Sequence, residues 1–215
     1  INSAMGQSAS GGRVEALEDL NRDGVELEGL QISGADLSGI KLKFGKLNRA
    51  NLELTQLDFS DFSGASLAYA NLRQANLMNS SLVKTNLANA NLFQADLSMA
   101  VLSSSNFKNA NLAEVNFDGA SMESVYLVNT SLVKASITNT NLRKANLRAA
   151  NLTGADLTGS NLSGTNLEES NLLSVRLTGV NLTDADLRSA KNLTKEQLVG
   201  AKICRTTLPN GIHLS

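Results

Sequence analysis

Every fifth residue from Leu27 to Leu187 is Leu, Ile, Phe or Met, 33 positions without a slip of register. Only Ile32, Phe62, Phe107, Phe117, Met122 and Ile137 depart from Leu. A five-residue period fits neither regular element. Five helical steps of about 100° advance about 500°, so successive Leu side chains would spiral around a helix and form no stripe. In a flat strand the side-chain period is two, and an odd spacing sends alternate Leu to opposite faces. The chain must instead turn once every five residues so that each Leu points to one axis. The period thus predicts stacked coils whose sides are single pentapeptides, each a very short strand followed by a turn.

The remaining positions fit that geometry. Two residues before each Leu stand fifteen Ala, five Ser, five Thr and five Val, with Leu30, Ile40 and Gly45 completing the set. Small residues suit an inward position beside a Leu. The residue just before the Leu is Asn or Asp in 20 of the 33 cases, and its short polar side chain is expected to hydrogen-bond nearby backbone at the corner. The two following positions are mixed and polar, often ending in Gly, which suits turn positions that disfavour a Cβ. A core of this kind needs no large aromatics, in keeping with a chain that has no Trp and only two Tyr and six Phe.

The resulting pattern, as in Ala145-Asn146-Leu147, Ala150-Asn151-Leu152 and Ala155-Asp156-Leu157, resembles the pentapeptide-repeat family over residues 25–189. The tail Asn192-Leu-Thr-Lys-Glu-Gln and Thr206-Thr-Leu-Pro-Asn-Gly211 is similar to cyanobacterial and plastid members. The resemblance implies an all-β fold, a right-handed quadrilateral β-helix with 20 residues per coil. This solenoid would have about eight coils, rise roughly 38 Å and carry short helical caps at one or both ends.

The expected organisation follows. Residues 1–12 read as a flexible leader or cloning scar. Residues 13–24, with Val14, Leu17 and Leu20 at helical spacing, read as an N-terminal helical cap. Residues 25–189 hold the repeats. Residues 190–215 read as a C-terminal helical cap and tail, opened by a capping box at Thr194-Lys195-Glu196-Gln197.

Little points to chemistry. Cys204 is alone, which excludes an intramolecular disulfide or a cysteine metal cluster, and it is expected to be half-buried. His213, the single histidine, reads as a solvated tail residue. Asp36, Asp96, Asp156 and Asp186 share the corner position with Asn, so backbone hydrogen bonding accounts for them better than acid–base work. No phosphate-binding glycine loop or zinc-ligand spacing is present. No catalytic, cofactor-binding or metal-binding residue is expected, and no cofactor. Nineteen basic against twenty acidic residues give no reason to expect nucleic acid or membrane as partner. No apolar run is long enough to span a bilayer.

Function then falls to the outward positions. Phe59, Met78, Phe93, Met99, Val101 and Tyr126 are outward apolar residues and form the candidate partner surface. Arg143, Lys144 and Arg148 read as a solvated basic cluster. The expected role is a non-catalytic scaffold for protein–protein interaction with an unknown protein partner, as a monomer or a weak dimer through one end. The alternatives are a DNA mimic acting on a type II topoisomerase, which the balanced charge disfavours, and an accessory repeat domain of a larger protein. The compartment stays open, with the cytoplasm favoured and the thylakoid lumen open to a processed chain.

Overall fold

The computed structural model describes residues 10–212. Residues 1–9 of the expected leader and His213 lie outside them. The architecture follows from where the backbone N–H groups of one pentapeptide find acceptors. Asn71 N–H donates to Ala50 O of the preceding coil at 2.9 Å, and Leu72 N–H to Asn91 O of the following coil at 2.7 Å. Gln74 N–H reaches Phe93 O at 2.9 Å, and Ala75 N–H closes the turn on Leu72 O at 3.1 Å. The fifth group, Arg73 N–H, is taken by a side chain, Oδ1 of Asn71, at 3.3 Å. All five donors are satisfied, as buried backbone requires.

The backbone part of this scheme repeats along the chain, and the side-chain acceptor recurs where the corner is Asn or Asp. Parallel bridges join residues 20 apart, from Gln31 with Asn51 to Asn171 with Lys191, so four pentapeptides make one coil. After Lys191 the partners are 21 apart, Asn181 with Lys202 and Asp186 with Thr207, because the segment between them holds one extra residue.

The expected all-β class is not what the chain forms. Among the described residues there is no β-strand and no sheet, only isolated single-residue bridges. The β-helix or solenoid with strands for sides is corrected accordingly. The reason is the shortness of a side. Two of its five residues form the turn and the fifth closes it, so only one residue per side pairs with both neighbouring coils. The stack is held by turns and single bridges.

The interior matches the period. The Leu column is buried from Leu37 onward, with Ala, Val, Ser and Thr of the preceding column beside it. Phe107 and Phe117 meet edge to face with ring centroids 6.3 Å apart. Buried hydroxyls donate either to their own turn carbonyl, as Thr55 Oγ1 does to Leu52 O and Ser80 Oγ to Leu77 O, both at 2.6 Å, or to the preceding coil, as Thr85 Oγ1 does to Phe62 O and Thr140 Oγ1 to Phe117 O, both at 2.8 Å. Ser60 Oγ is the exception, a buried hydroxyl without a partner among the described residues.

The fourth position of each side has positive φ, and it is far less restricted to glycine than expected. Phe44 (φ 56°), Leu54 (φ 60°) and Tyr69 (φ 61°) all adopt it. For a residue with a Cβ this conformation costs roughly 1–2 kcal/mol, and the bonds on either side hold it in place.

Both ends are closed by polar side chains as well as apolar ones. Helix α1 (Ser10–Arg22) places Leu17 in the core, with Val14 and Leu20 packed against it. Its Glu18 Oε1 accepts Lys41 N–H at 2.7 Å, and its Asn21 Nδ2 donates to Lys43 O at 3.0 Å. These groups belong to the first coil, which has no preceding coil to pair with. At the other end, Thr194 N–H donates to Gln197 Oε1 at 2.8 Å and Gln197 N–H to Thr194 Oγ1 at 3.4 Å, the reciprocal bonds of a capping box. The helix they open is a single 3-10 turn, Glu196–Leu198. Gln197 Nε2 also donates to Leu172 O and Val175 O, both at 2.9 Å, ending that side of the stack.

Candidate interaction surface

Twenty residues per coil assign every outward residue to one of four sides. Side I comprises 36–40 and every twentieth residue after it; sides II, III and IV begin at 41, 46 and 51. Three of each five positions face outward: the corner before the Leu and the two turn residues after it.

The corner is specialised for Asn and Asp. In each of the 20 Asn and Asp corners of the repeats, Oδ1 accepts the N–H two residues on, from Asp36 with Ser38 at 3.1 Å to Asp186 with Arg188 at 3.0 Å. Asn Nδ2 then reaches the preceding coil, as Asn71 does to Asn51 at 3.2 Å and Asn106 to Asn86 at 3.2 Å. Two Ser corners are rescued from the coil before. Asn48 Oδ1 accepts both Ser66 Oγ and Ala68 N–H, and Asp118 Oδ1 accepts Ser136 Oγ and Thr138 N–H. The corner carboxylates are thus structural. Asp36 is held below the usual range by the backbone and hydroxyl of Ser38, and Asp186 by the guanidinium of Arg188.

Outward apolar residues stand against this polar background. Phe59, Met78 and Met99 occupy side I on three successive coils; Phe59 is 63% and Met99 61% exposed, while Met78 is half-buried. Val101 lies just past the corner from Met99, on side II, and is exposed. Phe93 precedes the same coil's side I and is half-buried, with the Arg73 guanidinium 5.8 Å from its ring centre. Tyr126 is exposed but belongs to side III, opposite side I, so it does not join the other five. Val101 and Tyr126 both occupy corners. Neither can supply the Asn-type acceptor, and no side chain among the described residues accepts Ser103 N–H or Val128 N–H in its place.

Sequence reasoning missed Phe44, Leu54 and Tyr69, all well exposed. Each occupies the positive-φ position, where an apolar side chain is not expected. Cys204 is exposed, not half-buried: with Lys202 at the corner opposite Asn181, it takes the first turn position, which faces outward. Of the basic cluster, Arg148 pairs with Glu169 at 2.6 Å and Glu168 at 3.5 Å, and Arg143 lies 3.8 Å from Glu123. Exposed pairs of this kind contribute under about 1 kcal/mol each. Among the described residues, no group of three or more His, Cys, Asp or Glu could hold a metal ion. Among them, too, no helix is long and apolar enough to cross a membrane.

The model of pentapeptide repeats matches this chain in 8 copies over stretches that run from residue 35 to residue 188. The chain belongs to the pentapeptide-repeat family. Pentapeptide-repeat proteins are generally non-enzymatic. Among solved structures it shares its fold with a trypsin-treated variant of QnrB1, a plasmid-mediated fluoroquinolone resistance protein. The TM-score is 0.74 at 20% identity, over 85% of this chain and 91% of that one. HetL, a pentapeptide-repeat protein involved in heterocyst differentiation regulation from the cyanobacterium Nostoc sp. strain PCC 7120, is 27% identical. The match covers 87% of this chain and 91% of HetL, with a TM-score of 0.49. A pentapeptide-repeat protein from the Arabidopsis thaliana thylakoid lumen is 28% identical over 48% of this chain and 68% of its own, with a TM-score of 0.42. No curated protein matches the chain.

Proposed function

We propose that this pentapeptide-repeat chain is a scaffold that presents the sides of its coil stack to another protein. The observation that carries the reading is the line Phe59, Met78 and Met99 on successive coils of one side, with Val101 past its corner. Asn, Gly and Thr fill the same columns elsewhere, as Asn79, Asn139, Gly119 and Thr138 do, so the fold does not require apolar residues there. Phe59 and Met99 hold apolar side chains in solvent at positive φ, a conformation that disfavours a Cβ, which points to selection for contact over stability.

The test is side-resolved crosslinking. A photoreactive residue is placed at Phe59 or Met99 on side I, or at Lys134 on side IV, and the full chain is irradiated in an extract of its source cells. The scaffold reading expects a discrete protein adduct from the side I positions that Lys134 does not give. It fails if no position on any side gives an adduct above the level of the unirradiated sample.

A further inference from the structure

The near-neutral charge of the whole chain conceals a segregation by side. From residue 36 to residue 160, side I carries Asp36, Asp58, Asp96, Asp118 and Asp156 and no Lys or Arg; Arg176 is its first cation. Side II carries Lys41, Lys43, Lys84, Arg143 and Lys144 against Asp61, Glu123 and Asp184, and sides III and IV are mixed. Among the described residues, the ion pairs lie almost wholly on sides II, III and IV. Asp156 pairs with Arg176 at 2.7 Å, but Asp36, Asp58, Asp96 and Asp118 meet no Lys or Arg within 4.0 Å.

The apolar line lies on this same side. Along the stack the order is Asp36, then Asp58 beside Phe59, then Met78, then Asp96 beside Met99, then Asp118. At about 4.8 Å per coil this spans roughly 19 Å. Carboxylates that accept hydrogen bonds from Ser38, Ser98 and Ser136 but have no counter-ion thus bracket an apolar centre, and their mutual repulsion is one that a cation would relieve.

Resting on the scaffold reading, we infer that side I docks a cationic protein segment, one with an apolar anchor flanked at both ends by Lys or Arg. The anchor meets Phe59, Met78 and Met99, and the flanking cations meet Asp36 and Asp58 at one end and Asp96 and Asp118 at the other. Apolar contact sets affinity, while the charges set orientation and make association sensitive to salt.

The fold supplies its own controls. Asp96→Asn keeps the corner acceptor, and Asp58→Asn and Asp118→Asn remove charge without changing shape. Phe59→Asn, Met78→Thr and Met99→Asn install residues that the same columns already hold at Asn79, Thr138 and Asn139. The probe is a labelled peptide of about 14 residues with Leu and Phe at its centre and two Arg at each end. Two further probes replace its centre by Gly and Ser or its Arg by Glu. Anisotropy is measured with the full chain at low and physiological salt, and thermal melts confirm that each variant is folded.

The expected result is binding of the first probe alone, weakened about tenfold by the triple Asn variant and about tenfold by the apolar variant, and weakened again by salt. Equal binding of the Gly/Ser probe, or equal binding by folded variants, overturns the inference. So does side-to-side self-association in which these variants change sedimentation and no probe binds. If an adduct forms from another side while no probe binds side I, the scaffold reading stands and the cationic-segment inference falls.

Discussion

The ring of Phe44 lies over Gly64, one coil further on, so closely that a Cβ on Gly64 would come within 2.6 Å of the ring. Met99 covers Gly119 in the same way, its sulfur 2.7 Å from where that Cβ would stand. At the positive-φ position a long side chain leans on the next residue of its column, and glycine there makes room. Gly34 also has positive φ, but open space surrounds its missing Cβ. Gly34→Ala is therefore expected to cost only the conformational term, roughly 1–2 kcal/mol, while Gly64→Ala costs more and frees the Phe44 ring. Ala149, at φ 57°, should gain stability as Gly. Denaturant melts of the three variants check the order.

How much of this was open to reading from the residues depends on which backbone group a residue serves. The Leu column and the Asn or Asp corners were legible because each answers a demand repeated at every side: burial at Leu37, an acceptor at Asp36. The absence of strands was not, since the same spacing serves a two-residue ladder or a single bridge, and only the hydrogen bonds of groups such as Arg73 N–H decide. Side membership was legible only through the family resemblance, whose 20 residues per coil put Phe59, Met78 and Met99 on one side as the bridges do. A register in fives does not by itself fix how many sides make a coil, so the opposition of Tyr126 to Phe59 and the collection of Asp58, Asp96 and Asp118 on one side do not follow from the period alone and rest on the 20-residue bridges.

The corner acceptor should be separable from corner shape. Asn141 Oδ1 accepts Arg143 N–H at 3.2 Å. Asn141→Asp keeps that bond, and Asn141→Leu loses it at a cost of about 1–2 kcal/mol. The converse substitutions, Val101→Asn and Tyr126→Asn, supply an acceptor where there is none and should stabilise by about 1 kcal/mol. Paired chemical denaturation curves test both directions.

Acid should weaken the stack through the Asp corners. Ser38 lowers the Asp36 carboxyl and Arg188 that of Asp186 from an ordinary value of 3.8. A group depressed in the folded state contributes stability above its unfolded value, and that contribution is lost as pH falls through the folded value. The melting temperature should therefore hold steady from about pH 8 to 5 and fall below about pH 4. Asp36→Asn and Asp186→Asn keep the acceptor without the charge, so each should flatten the acid limb in melts run across that range.

A corner side chain completes the backbone of its own pentapeptide wherever that corner is Asn or Asp, and amide hydrogen exchange resolved by residue measures this most directly. Arg73, Lys108 and Thr183 N–H groups, each bonded to an Asn Oδ1, are expected to be protected alongside the bridge amides. Ser103 and Val128 N–H groups, which follow Val101 and Tyr126, are expected to exchange at least about tenfold faster, and to slow in Val101→Asn and Tyr126→Asn. Equal protection at all five positions, unchanged by those substitutions, would contradict that role.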